Sequence, residues 1–318
     1  MTCSSLRSAK RNSAGARGPL VAVVSDQRDW HSRQMETALA AVGARYERMD
    51  LAKCGLDTTI GLGLNLHGVG ARVPDAVHVR TLASGSFEAV TKRLGVLHAL
   101  SALGVPVWND ARAIERCVDK SMTSFCLARA GLPTPPTWTV ESLDEARTLV
   151  VRESHRAPLV LKPLFGSQGK GLCLVRDAED LPAPEAVAGV YYLQRFEAVE
   201  GEGFHDYRLL VVKGRVAAAM MRRAPTWITN VKQGGEPWSI RRDDRMERLA
   251  TAAAGAVGAT IAGVDILVAA EGGPTVLEVN SMPAWSGLQK VSNVNIAAAI
   301  AGAVVAEIAS TGVPEAAS

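Results

Sequence analysis

Cysteine is sparse across these 318 residues and never paired at short spacing: Cys3, Cys54, Cys117, Cys126 and Cys173 are scattered and odd in number. Without a C-x-x-C pair the chain has neither a disulfide framework nor a zinc site to build on, and its thiols fit a reducing compartment. Cys126 and Cys173 lie in apolar stretches and are expected in the core. An excess of charge of one sign is also missing. The net charge is +3, from 35 basic and 32 acidic residues with no basic stripe, which gives no basis for a nucleic-acid partner. Long apolar runs are absent too. No apolar segment of a secretory signal follows the basic N-terminus, and the Ala-rich stretch 296–309 is shorter than a membrane span and interrupted by Glu307. The expectation is a cytoplasmic protein with no membrane partner.

What is present is ordinary globular composition, 47% hydrophobic and 21% charged, in a chain long enough for two or three domains. Residues 1–17, with Arg7, Lys10, Arg11 and Arg17, several serines and no acid, read as a disordered basic tail, with a transit peptide as the alternative. Strand-like Leu20–Val24 and Ala76–Val79 alternate with helical patterns over Gln34–Val42 and Ser86–Leu103, and a short strand follows at Val105–Trp108. This alternation predicts an α/β domain over 18–110. Gly55–Gly70 reads as a loop. From 111 the pattern becomes α+β. Helices are expected over Asp119–Ala130, Leu143–Arg152 and Asp243–Val257, each with a cap signal. Strands are expected over Leu159–Lys162, Gly171–Val175, Val190–Phe196, Tyr207–Val212 and Val216–Met221.

Near the C-terminus Val264–Val268 and Thr275–Asn280 read as two strands joined by Gly272-Gly273-Pro274, an antiparallel hairpin. Glu278 and Asn280, two apart, share one face, and Asp265 on the partner strand reaches that face. Hard oxygen donors from few side chains, completed by water and phosphate, suit Mg²⁺.

Lys162 ends an apolar strand and is followed by Gly166-Ser167-Gln168-Gly169-Lys170-Gly171. Such a loop brings backbone N–H groups close to phosphate oxygens, although its spacing is not that of a Walker A loop. Lys120 follows Asp119 at a helix start. Arg222 and Arg223 end a strand, so one of them faces the sheet interior, where a guanidinium could hold an oxyanion. Asp206 and Arg208 share a face. Asn230 lies in a polar stretch after Trp227 and is either a plain loop residue or a further phosphate or metal contact.

Taken in order, Asp119-Lys120, Leu161-Lys162 with the Gly166–Gly171 loop, Gln194-Arg195-Phe196, Asp206-x-Arg208, Arg222-Arg223-Ala224, Asn230, Gly263-Val264-Asp265 and Leu277-Glu278-Val279-Asn280-Ser281-x-Pro283 resemble the ATP-grasp ligases, and among them the RimK-type α-L-glutamate ligases. Upstream, Arg80-Thr81-Leu82, Gly85-Ser86-Phe87-Glu88 and the segment Ala113–Lys120 are similar to the glutamate ligases of tetrahydromethanopterin and deazaflavin coenzyme biosynthesis. The resemblance implies an ATP-grasp fold over two α+β subdomains, 111–190 and 191–318, that enclose ATP. It implies a ligase that phosphorylates a small-molecule carboxylate with ATP and joins L-glutamate to it, on a pterin-type coenzyme. The alternatives are a protein C-terminus as acceptor, or a non-catalytic nucleotide-binding protein.

It further implies roles. Lys120, Lys162, Gly166, Ser167, Gln168, Gly169 and Asn230 would hold ATP phosphates, Gln194, Arg195 and Phe196 the adenine, and Asp206 the ribose side. Asp265, Glu278 and Asn280 would bind two Mg²⁺ (or Mn²⁺) ions. Arg222 or Arg223 would be catalytic, and the protein a homo-oligomer. Two positions depart from the family pattern: Arg195-Phe196 replaces an acid and a tyrosine, and Ile228-Thr229 replaces Arg-Ser.

Overall fold

The computed structural model describes residues 18–311 apart from 71, 167 and 271. The expected tail over 1–17 and the phosphate-loop residue Ser167 therefore lie outside the described residues. The described residues form two compact units, one of those up to 111 together with those from 295 onward, the other of those in 112–294.

In the first unit, β1 (Leu20–Val24), α1 (Trp30–Ala41), β2 (Arg45–Met49), the short antiparallel pair β3 (Gly55–Leu56) and β4 (Leu64–Asn65), β5 (Ala76–Val79), α2 (Phe87–Ala102) and β6 (Val107–Trp108) follow in order. A parallel sheet runs β2-β1-β5-β6. Every residue of β1 (LVAVV) and β5 (AVHV, with His78 among its apolar neighbours) is buried, as in a parallel sheet covered on both faces. Helix α1 begins at Trp30 because Asp29 caps it, accepting the Ser32 N–H at 2.8 Å. Strand β2 is absent from the sequence pattern. It is an edge strand, its sequence RYERM is only partly buried, and little hydrophobic alternation is demanded of it.

The second unit opens with α3 (Ala111–Val118) and α4 (Lys120–Arg129), separated at Asp119, whose carboxylate accepts the N–H groups of Ser121 (2.8 Å) and Met122 (3.1 Å). Then come β7 (Thr137–Val140), α5 (Leu143–Glu153), β8 (Leu159–Lys162), β9 (Cys173–Val175) and β10 (Tyr191–Arg195), an antiparallel sheet ordered β7-β10-β8-β9. Its apolar face packs with α5 through Leu149, Val150, Leu159, Leu161, Tyr191 and Leu193.

A larger antiparallel sheet, β13-β12-β11-β14-β15, is built from β11 (Phe204–Val212), β12 (Arg215–Ala224), β13 (Glu236–Ser239), β14 (Ile261–Ala269) and β15 (Gly273–Asn280), with α6 (Asp244–Val257) between β13 and β14. The sheet and α6 share a core of Leu209, Val211, Ala250, Ala253, Val257, Val264, Ile266, Val276 and Val279. Gly258 ends α6 in the left-handed conformation at φ 78°. The short α7 (Ser286–Val291) completes this unit.

The terminal helix α8 (Ile296–Thr311) packs with α1 in the first unit, so its apolar residues are buried there rather than in the subdomain over 191–318 where the sequence pattern placed them. Among the described residues no helix is long and apolar enough to cross a membrane. The cysteines also sort differently from expectation. Cys54 and Cys117 are buried, whereas Cys126 is half-buried and Cys173, on β9, is exposed. Burial pushes the Cys117 thiol up to about 12.

Alanine at Gly258 would force a side chain into the left-handed region. Gly258→Ala should lower unfolding free energy by about 1 kcal/mol with an unchanged denaturant slope, measured by urea titration.

Candidate active site

One face of the β13-β12-β11-β14-β15 sheet is charged although the other is apolar, and pairing register explains which residues meet. Asp206 lies opposite Arg222 across β11 and β12; Arg208 lies opposite Asp265 across β11 and β14; Asp265 lies opposite Glu278 across β14 and β15. Asn280 lies opposite Gly263 on the same face. The hairpin expected from the sequence thus places Asp265, Glu278 and Asn280 together.

Alternation alone would put Leu277 on the apolar side with Val279. Instead the register shifts beside Asp265, so Val276 faces Ile266 and Leu277 is the extra residue of a bulge. Val276 and Val279 are fully buried in the core, while Leu277 and Glu278 both line the cleft.

The charges on this face are closely paired. Arg222 grips both oxygens of Asp206, with Nε donating to Oδ1 at 2.7 Å, and also reaches Asp265 Oδ2 at 3.1 Å. Arg208 donates Nε to Asp265 Oδ1 at 2.7 Å and Nη2 to Oδ2 at 2.6 Å. Burial alone would lower the pKa of Arg222, but Asp265 and Asp206 more than offset it and hold the guanidinium further above its ordinary value. Burial would raise that of Asp265, yet Arg208 and Arg222 keep it below the usual carboxylate range. In the metal trio Asp265 therefore differs from the expectation of an open ligand: three N–H donors already occupy its two oxygens, leaving room for about one further contact. Glu278 is more open. Its side chain is 26% exposed and its carboxylate stands 4.0 Å from Lys120 Nζ.

The lysines approach from the other elements. Lys120, one residue after the Asp119 cap of α4, is buried and donates to the Gly166 carbonyl at 2.8 Å, tying the glycine loop to the helix. Lys162, at the end of β8, donates to Gln194 Oε1 on β10 at 2.5 Å. Burial, reinforced by Lys120 and opposed by Glu278 and Asp265, lowers its pKa to about 8. Gln168 and Gly169 both have positive φ, 66° and 71°. A side chain on Gly169 would meet Asn230 Oδ1 at 2.5 Å and Ile228 Cγ2 at 2.9 Å, so the glycine is needed where this loop meets the β12–β13 loop.

A cleft of about 260 Å³ joins these groups, lined at its charged end by Lys162, Gln194, Asp206, Arg222, Asp265, Glu278 and Asn230. Its other end is apolar, with Val160, Leu172, Leu267, Leu277, Phe196 and Trp227. Phe196 and Trp227 pack edge to face with ring centroids 6.1 Å apart.

Some expected residues stand elsewhere. Arg223 is on the opposite face of β12 from Arg222, exposed, with its guanidinium 5.4 Å from the Trp238 ring centroid. The Arg195 side chain turns away to Glu153 (2.7 Å) and Trp138. The backbone N–H groups of Arg195 and Phe196 donate to Pro136 and Pro158 carbonyls, so Glu197, Ala198 and Val199, which the sequence pattern did not single out, are the next backbone lining the cleft. Leu172 and Trp227 were also missed, having no signal beyond their place beside the glycine loop and before Asn230.

The residues present fit a magnesium-assisted nucleotide site. Among the described residues no three His, Cys, Asp or Glu side chains form a metal-holding group. What the site offers is one open carboxylate, one partly engaged carboxylate and an amide, the sparse oxygen set that Mg²⁺ completes with water and phosphate. The buried amide nitrogens of Asn280 and Gln194 have no hydrogen-bond partner within the protein, as donors facing a ligand would.

The chain is similar to known proteins. The RimK-like ATP-grasp domain family matches residues 117–304. A tetrahydromethanopterin:alpha-L-glutamate ligase of Methanosarcina acetivorans is 31% identical over 310 residues, spanning 86% of this chain and 94% of that protein. Its namesake in Methanocaldococcus jannaschii is 38% identical over 233 residues, 70% of this chain and 76% of that one. A probable alpha-L-glutamate ligase of Legionella pneumophila is 33% identical over 230 residues, 67% and 74% of the two chains. Among solved structures, the ATP-grasp ligase PsnB complexed with a phosphomimetic variant of its minimal precursor, Mg and ADP superposes with a TM-score of 0.71 at 22% identity, over 91% of this chain and 98% of that one. D-cycloserine synthetase DcsG superposes with a TM-score of 0.68 at 20% identity, over 91% and 99%. At such identities these two establish the fold.

The arginine pair should separate in stability measurements. Arg222→Ala strands the buried carboxylate of Asp206 and removes one of three donors from Asp265 and should cost about 3–5 kcal/mol, whereas Arg223→Ala removes only a surface contact and should cost about 0.5 kcal/mol or less, both read by chemical denaturation.

Proposed function

The chain belongs to the RimK-like ATP-grasp family of ligases, and on that premise we propose that it joins L-glutamate to a carboxylate of a pterin-type coenzyme or its precursor. It is an ATP-dependent carbon–nitrogen ligase. The family uses ATP and Mg²⁺, and one structural neighbour is complexed with Mg and ADP. The observation that carries the site assignment is the meeting of Lys120, Lys162 and Glu278 at the charged end of a cleft whose other end is apolar. The pterin acceptor is supported by the names of the relatives at 31–38% identity, which cover up to 86% of this chain.

In this reading the adenine enters the apolar end between Val160, Leu172, Leu267 and the Phe196–Trp227 pair, and the triphosphate extends toward the charged end. Lys120 and Lys162 bind phosphate oxygens, and Lys120 keeps the glycine loop in place through the Gly166 carbonyl. Asp206 orients Arg222. The acceptor carboxylate attacks the γ-phosphorus, the bond to the bridging oxygen breaks and ADP leaves. The amine of glutamate then attacks the acyl carbon, loses a proton and expels phosphate. Arg222, at the cleft wall, stabilises the charge on the acylphosphate and on the tetrahedral oxyanion. Glu278, Asn280 and Asp265 would hold Mg²⁺, with two ions in our reading. When bound, the metal neutralises phosphate charge during transfer.

Mass spectrometry of products from ATP, glutamate and a panel of pterin, deazaflavin and furan carboxylates tests the acceptor. A mass gain of one or more glutamyl residues on the pterin alone is expected, and glutamylation of a protein instead would overturn it. Glu278→Gln should fold like the parent but lose Mg²⁺-dependent ADP release; unchanged turnover would remove Glu278 from the metal site.

Lys162 supplies a pH dependence. Its pKa of about 8 in the free protein means that phosphate, by favouring the ammonium form, draws a proton onto it above that pH. Nucleotide affinity should therefore fall as pH rises through 8. Calorimetry at pH 8.5 in buffers of different ionisation enthalpy should show proton uptake that disappears in Lys162→Met.

A further inference from the structure

The charged end of the cleft has a polarity that bears on the order in which ligands arrive. Asp206, Asp265 and Glu278 face Arg208, Arg222, Lys120 and Lys162, three carboxylates against four cations. Asp265 is the most heavily compensated of the three. Arg208 occupies both its oxygens and Arg222 adds a third donor. Arg208 is directly opposite Asp265 in the β11–β14 ladder, so this pairing is set by backbone register and not by a mobile loop. A divalent cation approaching the free protein meets a site with no surplus negative charge and only Glu278 open to it.

We propose that Arg208, by neutralising Asp265 and leaving its carboxylate a single lone pair, keeps the site too weak to hold a divalent cation until nucleotide phosphates supply the remaining ligands, so that the cation binds with the nucleotide and not before it. The inference rests on the reading of Asp265, Glu278 and Asn280 as the magnesium end of the cleft. The phosphates reverse the local sign. They draw Lys120 and Lys162 onto their own oxygens, leave Glu278 uncompensated and supply most of the metal's ligands. Arg208 is thus a positioning residue: it touches neither substrate nor metal, fixes the direction of the Asp265 carboxylate and leaves one lone pair for the ion. It also keeps Asp265 from capturing Arg222 outright, since Asp265 holds Arg222 by one contact where Asp206 holds it by two.

Free Mn²⁺, followed by electron paramagnetic resonance at pH 7, tests this without relying on turnover. The wild-type protein should bind Mn²⁺ at least about tenfold more tightly with saturating ADP than without nucleotide, because like charges in a partly buried site repel strongly. Without nucleotide, Arg208→Met should bind Mn²⁺ about tenfold more tightly than wild type, having lost one cation and freed one carboxylate oxygen, while Arg208→Lys should stay near wild type. Equal wild-type affinity with and without ADP would overturn the inference and leave the metal site standing. No Mn²⁺ binding even with ADP would overturn both. If Arg208→Met does not fold, the wild-type comparison decides alone; if it folds and binds no more tightly than wild type, Arg208 is not the closing group.

Discussion

Arg222 bridges Asp206 and Asp265, and Arg208 pairs with Asp265, on one face of a sheet whose other face packs the apolar core against α6, and the rest of the second unit is arranged around that row. Four charges with little access to water are tolerated only because each finds an opposite partner with good geometry. Arginine suits the task where lysine would not, since its planar fork holds both oxygens of a carboxylate at once. A one-residue slip of β11 against β12 or β14 would bury these charges in the α6 core and expose Leu209 and Val211. The ion pairs and the apolar core therefore specify the same register.

That row also gives the cleft its direction. On the charged side Lys120, Lys162 and Glu278 stand on elements from three parts of the second unit: the start of α4, the end of β8 and the bulge of β15. On the other side, Val160, Leu172, Phe196 and Trp227 form a wall suited to a flat ring. The two sides meet where Gly169 presses against Ile228 and Asn230, a contact that no side chain at 169 would permit. A molecule with an apolar ring at one end and multiple negative charges at the other fits this polarity in one orientation.

Much of this was legible in the residues. Ser142 marked the start of α5 as its cap, and Gly131 and Gly258 marked the ends of α4 and α6; Asp119 and Asp243, read as the first residues of their helices, are the side chains that cap them, satisfying N–H groups that the helix itself cannot. The β14–β15 hairpin and its three polar residues followed from period-two alternation and a Gly-Gly-Pro turn. The strands that escaped notice are β2, β7 and β13, all at sheet edges, and the short pair β3–β4 inside the Gly55–Gly70 stretch that reads as a loop. An edge strand has one unpaired side and often one wet face, so its sequence need not carry the apolar pattern that identifies a central strand. Pro237 within β13 even argues against a strand unless it lies at an edge. Helix α3 was missed because it abuts α4 at Asp119, and the helical pattern there reads as one start.

The sequence by itself determined the chemical inventory: two lysines, a glycine loop, an arginine pair, and a carboxylate-rich hairpin in a fixed order along the chain. Only the tertiary structure decided which of Arg222 and Arg223 faces inward, that Arg195 serves Glu153 rather than the cleft, and that Leu277 turns toward the ligand side. Each of these depends on cross-strand register and on a single bulge. Register is the outcome of packing summed over many residues, whereas alternation along one strand shows only that two faces exist and not which neighbour each one meets.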